Sequence, residues 1–492
     1  MCIRDSLTIH SELRGMAVAL PAPLGKPARP ARETDIAFIF HRGGATDLRI
    51  AYDGLLSAWL RDEGQGYRRG DIRLGGGELQ LPSSPLIRLR GKLQALDADA
   101  WSRWISADGM RREDQQATAL ALDLRVAELG LAGLRCANSR LKGASRPDDW
   151  QFKVDSDELK GSFTIPRDLQ KKPLVGHLQY LKLKSADLAE QGDAQQAAKP
   201  AWGQVDPGDL PALDLHIDSL EVNGRSFGKA QVQWKKAPHG IQVSHLGIAG
   251  EGVNIDGQGL WWMMGGRHTT KLTLQGHVDS LGDLQAGLGW QLGIAEAPLD
   301  FEGRLTWPQG PHELSFAKLS GDLKLKVGAG EVTEVDPGVG RLVGLLSLHA
   351  LGKRLRLDFS DLFAKGLEFD RIEGSFNLND GDAYTADLEI EGPAAKIEIT
   401  GRTGLGAQDY DQLVTVTPRV SSTLPIVGAL AVNPTVGVAL VVAQQLFGKQ
   451  VDRITRTQYE LTGSWHAPVM KKRKPEKPAG ASSQMPDFPA GQ

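Results

Sequence analysis

The sequence predicts a mainly β protein, an elongated repeated antiparallel β-sheet groove with a few short helices near the C-terminus. Three observations predict it. Apolar residues alternate with period two between glycine turns, as half-buried strands require, in LALDLRV (120–126), LDLHIDSLEV (213–222), LRLDF (355–359), DLEI (387–390) and KIEI (396–399). The dipeptides Asn223-Gly224 and Asp380-Gly381 favour tight hairpin turns, whose two central positions need positive φ. The sequence also repeats itself. An ungapped shift of 142 pairs Leu220 with Leu362, Gly224 with Gly366, Phe227 with Phe369, Leu246 with Leu388, Ile248 with Ile390 and Ile255 with Ile397. A shift of 91 pairs Leu122, Leu124, Leu129 and Gly133 with Leu213, Leu215, Leu220 and Gly224. Spacing kept across hairpin loops marks a repeated β unit, and such units stack strand on strand to expose one long face.

In chain order, residues 1–15 make a poor natural beginning. The start, MCIRDSLTIH, lacks the apolar core of a signal peptide and any membrane-spanning run, so the chain reads as a fragment without its N-terminal portion. Residues 16–115, 116–188 and 210–330 read as groove units, with 189–209 an irregular connection. Residues 331–470 form a C-terminal β unit with short helices at 338–351 and 424–447. The segment 471–492, rich in Pro, Lys and small polar residues, reads as a disordered tail whose Lys471, Lys472, Arg473 and Lys474 can touch anionic headgroups. With 57 basic and 60 acidic residues in 492, no global charge attracts nucleic acid. Cys2 and Cys136 alone imply no disulfide framework.

Reactive groups are scattered. The 11 histidines form no metal-ligand spacing, and no nucleophile elbow or phosphate-cradling loop occurs, so no catalytic residue, metal or cofactor is expected. Gly338, Gly340 and Gly344 with Asp358 imitate a dinucleotide fingerprint, but the spacing is wrong and Pro337 interrupts the preceding strand; a short helix across a sheet end fits better. Asp358 and Asp361 read as solvent-facing or turn-capping, because Asp favours exposed and turn positions and the 142 shift sets Asp358 on His216 rather than on an acid. The tryptophans fall near strand ends, where core or rim packing fits better than a ligand platform. Leu424–Phe447 carries no charge over 24 residues but is split by Pro434. It is too short for an ordinary transmembrane helix, and either caps the array as a buried hairpin or dips into a membrane or closes a groove. In the second case Ile426, Leu430, Val436, Leu440 and Leu446 face lipid.

The blocks LPAPLGK (20–26), LPALDLHIDSLEVNGRSFG (210–228), GEVTEVDPGVGRLVGLLSLHALGKRLRLDFSDLFAKGLEFDRIEGSF (330–376) and DQLVTVTPRVSSTLPIVGAL (411–430) resemble the C-terminal portion of the YhdP family of AsmA-like bacterial envelope proteins. The likeness runs from about 16 to 470. It implies a bridge anchored in the inner membrane of a Gram-negative bacterium by an N-terminal helix absent here. Such a bridge spans the periplasm and carries phospholipids toward the outer membrane along an apolar groove, with membranes and envelope proteins as partners. The alternating strands agree, and nominate Leu213, Leu215 and Ile217, then Leu355, Leu357 and Phe359, then Leu388 and Ile390, as groove-lining. The rival is a structural or assembly factor of the envelope, whose interior is an ordinary closed core. A conduit requires a continuous apolar strip; a scaffold does not.

Overall fold

The computed structural model describes residues 5–107, 118–184, 205–288, 294–332, 367–393, 395–419 and 456–473. Strands dominate, 27 of them among these residues. The chain divides into two units, Met1–Trp290 with Pro298–Gly321, and Gln291–Ala297 with Asp322–Gln492.

The first unit is one ladder in which chain order is also spatial order. Its strands are β1 (Ser6–Ser11), β2 (Thr34–Phe40), β3 (Thr46–Tyr52), β4 (Leu56–Asp62), β5 (Tyr67–Leu74), β6 (Ile87–Asp97), β7 (Leu120–Leu131), β8 (Leu134–Ser145), β9 (Asp149–Asp155), β10 (Leu159–Pro166), β11 (Leu174–Leu183), β12 (Leu213–Val222), β13 (Arg225–Ala237), β14 (Gly240–Gly250), β15 (Val253–Met264), β16 (Arg267–Val278) and, after the short β17 (Ile294–Ala295) of the second unit, β18 (Leu299–Trp307). Joins are antiparallel except β5–β6, β6–β7 and β11–β12, which are parallel. A parallel join forces the chain back across the sheet before it can pair again.

Strand direction alternates except at those joins, so every strand end belongs to one of two rims. One rim, here the helix rim, carries two helices and the loop 12–33. Helix α1 (Ala98–Ala107) follows β6; its start is capped by Asp97, whose carboxylate accepts the Ala100 N–H at 2.8 Å. Its Asp99 accepts the N–H groups of Ala132 and Gly133 and pins the β7–β8 turn. Helix α2 (Leu281–Leu288) follows β16 and meets the β12–β13 turn, where Asn223 Nδ2 donates to the Gly287 carbonyl at 2.7 Å. The loop 12–33 folds onto the same rim: the Tyr52 hydroxyl donates to the Leu24 carbonyl at 2.8 Å and Trp101 Nε1 to the Ala22 carbonyl at 3.1 Å. The opposite rim, the turn rim, holds the β2–β3, β4–β5, β8–β9, β10–β11, β13–β14 and β15–β16 connections. Neither helix is legible as a periodic pattern, since two or three turns give too few repeats for an amphipathic signal. The helices expected at 338–351 and 424–447 lie outside the described residues.

The crossing segment 75–86 runs over the polar face of the sheet, fastened by a buried ion network. Asp71 is fully buried; Arg90 chelates its carboxylate at 2.8 Å, the Gln80 N–H donates to it at 2.9 Å, and Arg73 lies 3.5 Å away. Burial of a carboxylate is tolerable only with such pairing.

The second unit contains a small sheet of β17, β20 (Gly330–Val332) and β21 (Leu367–Phe369). Its ladder begins at β19 (Ser320–Val327) and runs through β22 (Arg371–Asn379), β23 (Asp382–Glu391), β24 (Ala395–Gly404), β25 (Asp409–Pro418), β26 (Thr457–Ser464) and β27 (Ala467–Lys472), so the first two residues of the expected tail end a strand. Over the β14–β15 and β23–β24 hairpins the repeat seen at a shift of 142 is structural to the residue. The pairs Gly240↔Trp262, Leu246↔Gly257 and Ile248↔Ile255 of β14–β15 recur as Asp382↔Gly404, Leu388↔Ile399 and Ile390↔Ile397 of β23–β24. The register break also recurs, after Val243 in one hairpin and after Thr385 in the other. Asn223-Gly224 (φ 50° and 80°) and Asp380-Gly381 (φ 46° and 87°) form the turns their composition demands. The shift of 91 brings Ala132-Gly133 (φ 51° and 76°) into the same role, although alanine carries no such signal.

Candidate functional site

Residues directly opposite one another in a ladder project from the same face of the sheet. Following one such row across the first unit gives Ile9, Ile36, Ile50, Ala58, Ile72, Leu89, Leu122, Gly143 and Phe152 from β1 to β9. It continues as Phe163, Gly176, Leu215, Val232, Leu246, Gly257, Leu274 and Gly303 to β18. Every position is apolar or glycine. The neighbouring row nearer the helix rim, through Leu124, Leu141, Val154, Gly161, Leu178, Ile217, Ala230, Ile248 and Ile255, is apolar too. The opposite face is mostly polar, for example Arg90, Asp123, Lys142, Lys153, Ser162, His177, His216 and Gln231 from β6 to β13.

The sheet is therefore amphipathic from end to end of this unit, because period two holds in strand after strand and the bulges restore phase where it slips. At about 4.8 Å per strand, seventeen strands carry the apolar strip roughly 75 Å along the ladder. Large side chains in it face glycines: Gly143 stands opposite Phe152 and Gly176 opposite Phe163. A Cβ built on Gly143 would come within 2.7 Å of the Phe152 ring, so only glycine leaves that ring its place.

The nominated residues fall into three groups. Leu213, Leu215 and Ile217 share the apolar face; Leu213 and Leu215 are half-buried, and Ile217 is buried against Leu178 and Ala230. Leu388 and Ile390 also share one face, but in the second unit, and are almost wholly buried, at 2% and 1% exposure, in rows with Ile399 and Val414 and with Ile397 and Val416. Leu355, Leu357, Phe359, Ile426, Leu430, Val436, Leu440 and Leu446 lie outside the described residues, as do Asp358 and Asp361. Phe152, Phe163, Leu122, Leu246 and Leu274 belong to the strip and were not nominated; their signal is the alternation in DWQFKVD, GSFTI, LALDLRV, HLGI and KLTLQG.

Ionisable groups on the polar face pair locally. Burial pushes the Asp47 carboxyl up, but hydrogen bonds from Arg61 (2.6 and 2.8 Å) and His41 (2.9 Å) outweigh it and hold the group at about 2. Hydrogen bonds to Asp300 and Asp279 raise the His277 imidazole above its ordinary value. Among the described residues no group of three or more His, Cys, Asp or Glu side chains is placed to hold a metal, and no helix is long and apolar enough to cross a membrane.

These features define a class of protein: a sequential β ladder offering one long apolar surface, with charged side chains paired on its other face and along its rims. The chain belongs to the YhdP family, whose model, described as YhdP protein, matches residues 3–470. It is similar to the Escherichia coli (strain K12) protein named intermembrane phospholipid transporter YhdP, at 26% identity over 313 residues. That match covers 62% of this chain and 24% of the relative, so the chain spans about a quarter of the length of the curated relative. No solved structure matches it.

Proposed function

We propose that this chain is part of a bridge that carries phospholipids between the inner and outer membranes of a Gram-negative bacterium, through the periplasm, with acyl chains on the apolar face. The observation that carries the reading is the unbroken apolar row from Ile9 to Gly303. A scaffold has no need of such continuity. Each CH₂ group moved from water to that surface gains about 0.8 kcal/mol, the same at every strand, so tails can slide without a deep trap. Moving a lipid this way makes and breaks no covalent bond, and the chain is proposed to act without catalysis.

Half-burial at Leu213 and Leu215 supports direct contact with acyl chains, with Ile217 behind them. Leu388 and Ile390 carry the same pattern in the repeated hairpin, where their burial supports a packing role. Leu355, Leu357 and Phe359 extend the proposal on sequence alone. So do Ile426, Leu430, Val436, Leu440 and Leu446 as contacts with the receiving membrane, the outer one for this C-terminal portion. An inner-membrane anchor in the parent protein, and envelope proteins as further partners, complete it.

The test is a photo-crosslinking residue at Leu215 in the full-length parent in cells. Crosslinks to phospholipid are expected there and not at Gln231 on the polar face. Equal labelling at both positions, or none at Leu215 in a folded protein, overturns the conduit and leaves the envelope scaffold.

A further inference from the structure

The two rims of the strip differ. Along β7 to β13 the row nearer the helix rim is buried at Leu124, Val154, Leu178 and Ile217, whereas the next row toward the turn rim is half-buried at Phe163 and Leu215. The helices and the loop 12–33 sit on the first side; along β8 to β11 the second is formed by the turn 146–148 and the loop 167–173, and segments 205–212 and 308–319 join it at Trp234 and Trp307. The strip therefore opens toward the turn rim.

That rim has the cross-section of a bilayer interface. Beyond the apolar row, Trp150 occupies the last apolar-face position of β9 and Trp234 the next-to-last of β13, followed on that face by Lys236. Trp150 is stacked on Phe152 with centroids 6.3 Å apart, and Trp234 donates its Nε1–H to the Pro211 carbonyl at 2.8 Å. Amphipathic indoles between apolar and charged layers mark the headgroup level of membranes. Beyond Trp150 stands Arg167, its guanidinium 5.4 Å from that ring centroid. Its Nε–H and one terminal N–H donate to the Arg146 carbonyl at 3.1 and 2.9 Å, which fixes the fork while the side chain stays exposed. Exposed Lys172 and Lys236 lie on the same rim, and none of the three forms an ion pair among the described residues. A pinned, solvent-facing guanidinium without a carboxylate is suited to a phosphate.

We infer that the phosphodiester of a glycerophospholipid headgroup docks on the turn rim at Arg167, with Lys172 and Lys236 along its path, while the helix rim stays sealed. This rests on the lipid reading above and adds to it the side from which lipid enters and leaves.

The experiment uses the full chain and vesicles of phosphatidylethanolamine and phosphatidylglycerol. They are doped with a phospholipid bearing a diazirine either in its headgroup or at the end of an acyl chain. The head probe is expected to label 167–172 and the tail probe the strands of Phe163 and Leu215. Arg167→Glu should lower head labelling about tenfold, the scale of one hydrogen bond to a charged group, and spare tail labelling; Arg167→Lys should fall between. Tail labelling with head labelling spread equally to 156–158 and 223–224 overturns the rim assignment alone. Loss of head labelling in excess inorganic phosphate, with tail labelling kept, overturns the headgroup in favour of a general anion site. Labelling by neither probe, in a chain whose circular dichroism is that of a folded β protein, overturns the lipid reading as well.

Discussion

Gly143 lies directly opposite Phe152 across β8–β9, and the absence of a side chain at one is what seats the ring of the other. Gly143→Val should overpack the strip and destabilise the chain by about 1–3 kcal/mol. In the double variant with Phe152→Ala the penalty of the valine should largely vanish. Urea midpoints for the four proteins of that cycle check it; simple additivity contradicts the relationship.

Asp71 fastens the crossing segment 75–86 through Arg90 and Gln80. Asp71→Ala leaves the Arg90 guanidinium unpaired in a covered site and should cost about 3–5 kcal/mol. Limited proteolysis should then cut first within 75–86. Cleavage elsewhere at the same rate would show that the network does not hold the crossover.

Acid should weaken the β3–β4 pairing through Asp47. Its folded value of about 2 lies below the ordinary value near 3.9, so its contribution is present above about pH 4. That contribution is lost as pH falls from about 4 to about 2. The difference in melting temperature between the wild type and Asp47→Asn should therefore be constant near neutrality and shrink across that window. A difference that persists at pH 2 contradicts the assignment.

Leu215 and Leu388 should respond differently to a carboxylate. Leu388→Asp puts an unpaired charge into a 2% exposed position and should unfold the second unit, whereas half-buried Leu215→Asp should leave a folded chain with less bound lipid. Melting curves and lipid extracted from the purified proteins separate the two outcomes. A folded Leu388→Asp chain depleted of lipid would return Leu388 to the conduit.

For the uncharged segment Leu424–Phe447, flotation with vesicles is the measurement that matters. A membrane role predicts that the wild type floats and that Leu440→Asp, with normal circular dichroism and melting, does not. Failure of the wild type to float, or unfolding of the variant, assigns the segment to a structural cap.

The strands at 120–126, 213–222, 387–390 and 396–399, the hairpin turns at Asn223-Gly224 and Asp380-Gly381, and the repeat at 142 between the β14–β15 and β23–β24 hairpins were determined by the sequence alone. Period-two burial and positive φ are local demands that each leave a residue signature. So was the shared face of Leu213, Leu215 and Ile217, since alternation fixes relative orientation within a strand. What only the tertiary structure decided is which strands adjoin. The parallel joins at β5–β6, β6–β7 and β11–β12, the capping of α1 by Asp97 and the placing of Ala132 in a hairpin turn leave little local trace. The same holds for the difference between Leu215 and Leu388, which are equally apolar and equally alternating. One lies half-buried on a long ladder and the other lies wholly buried in a core, because burial depends on what is packed over a face, and a single strand carries no record of that.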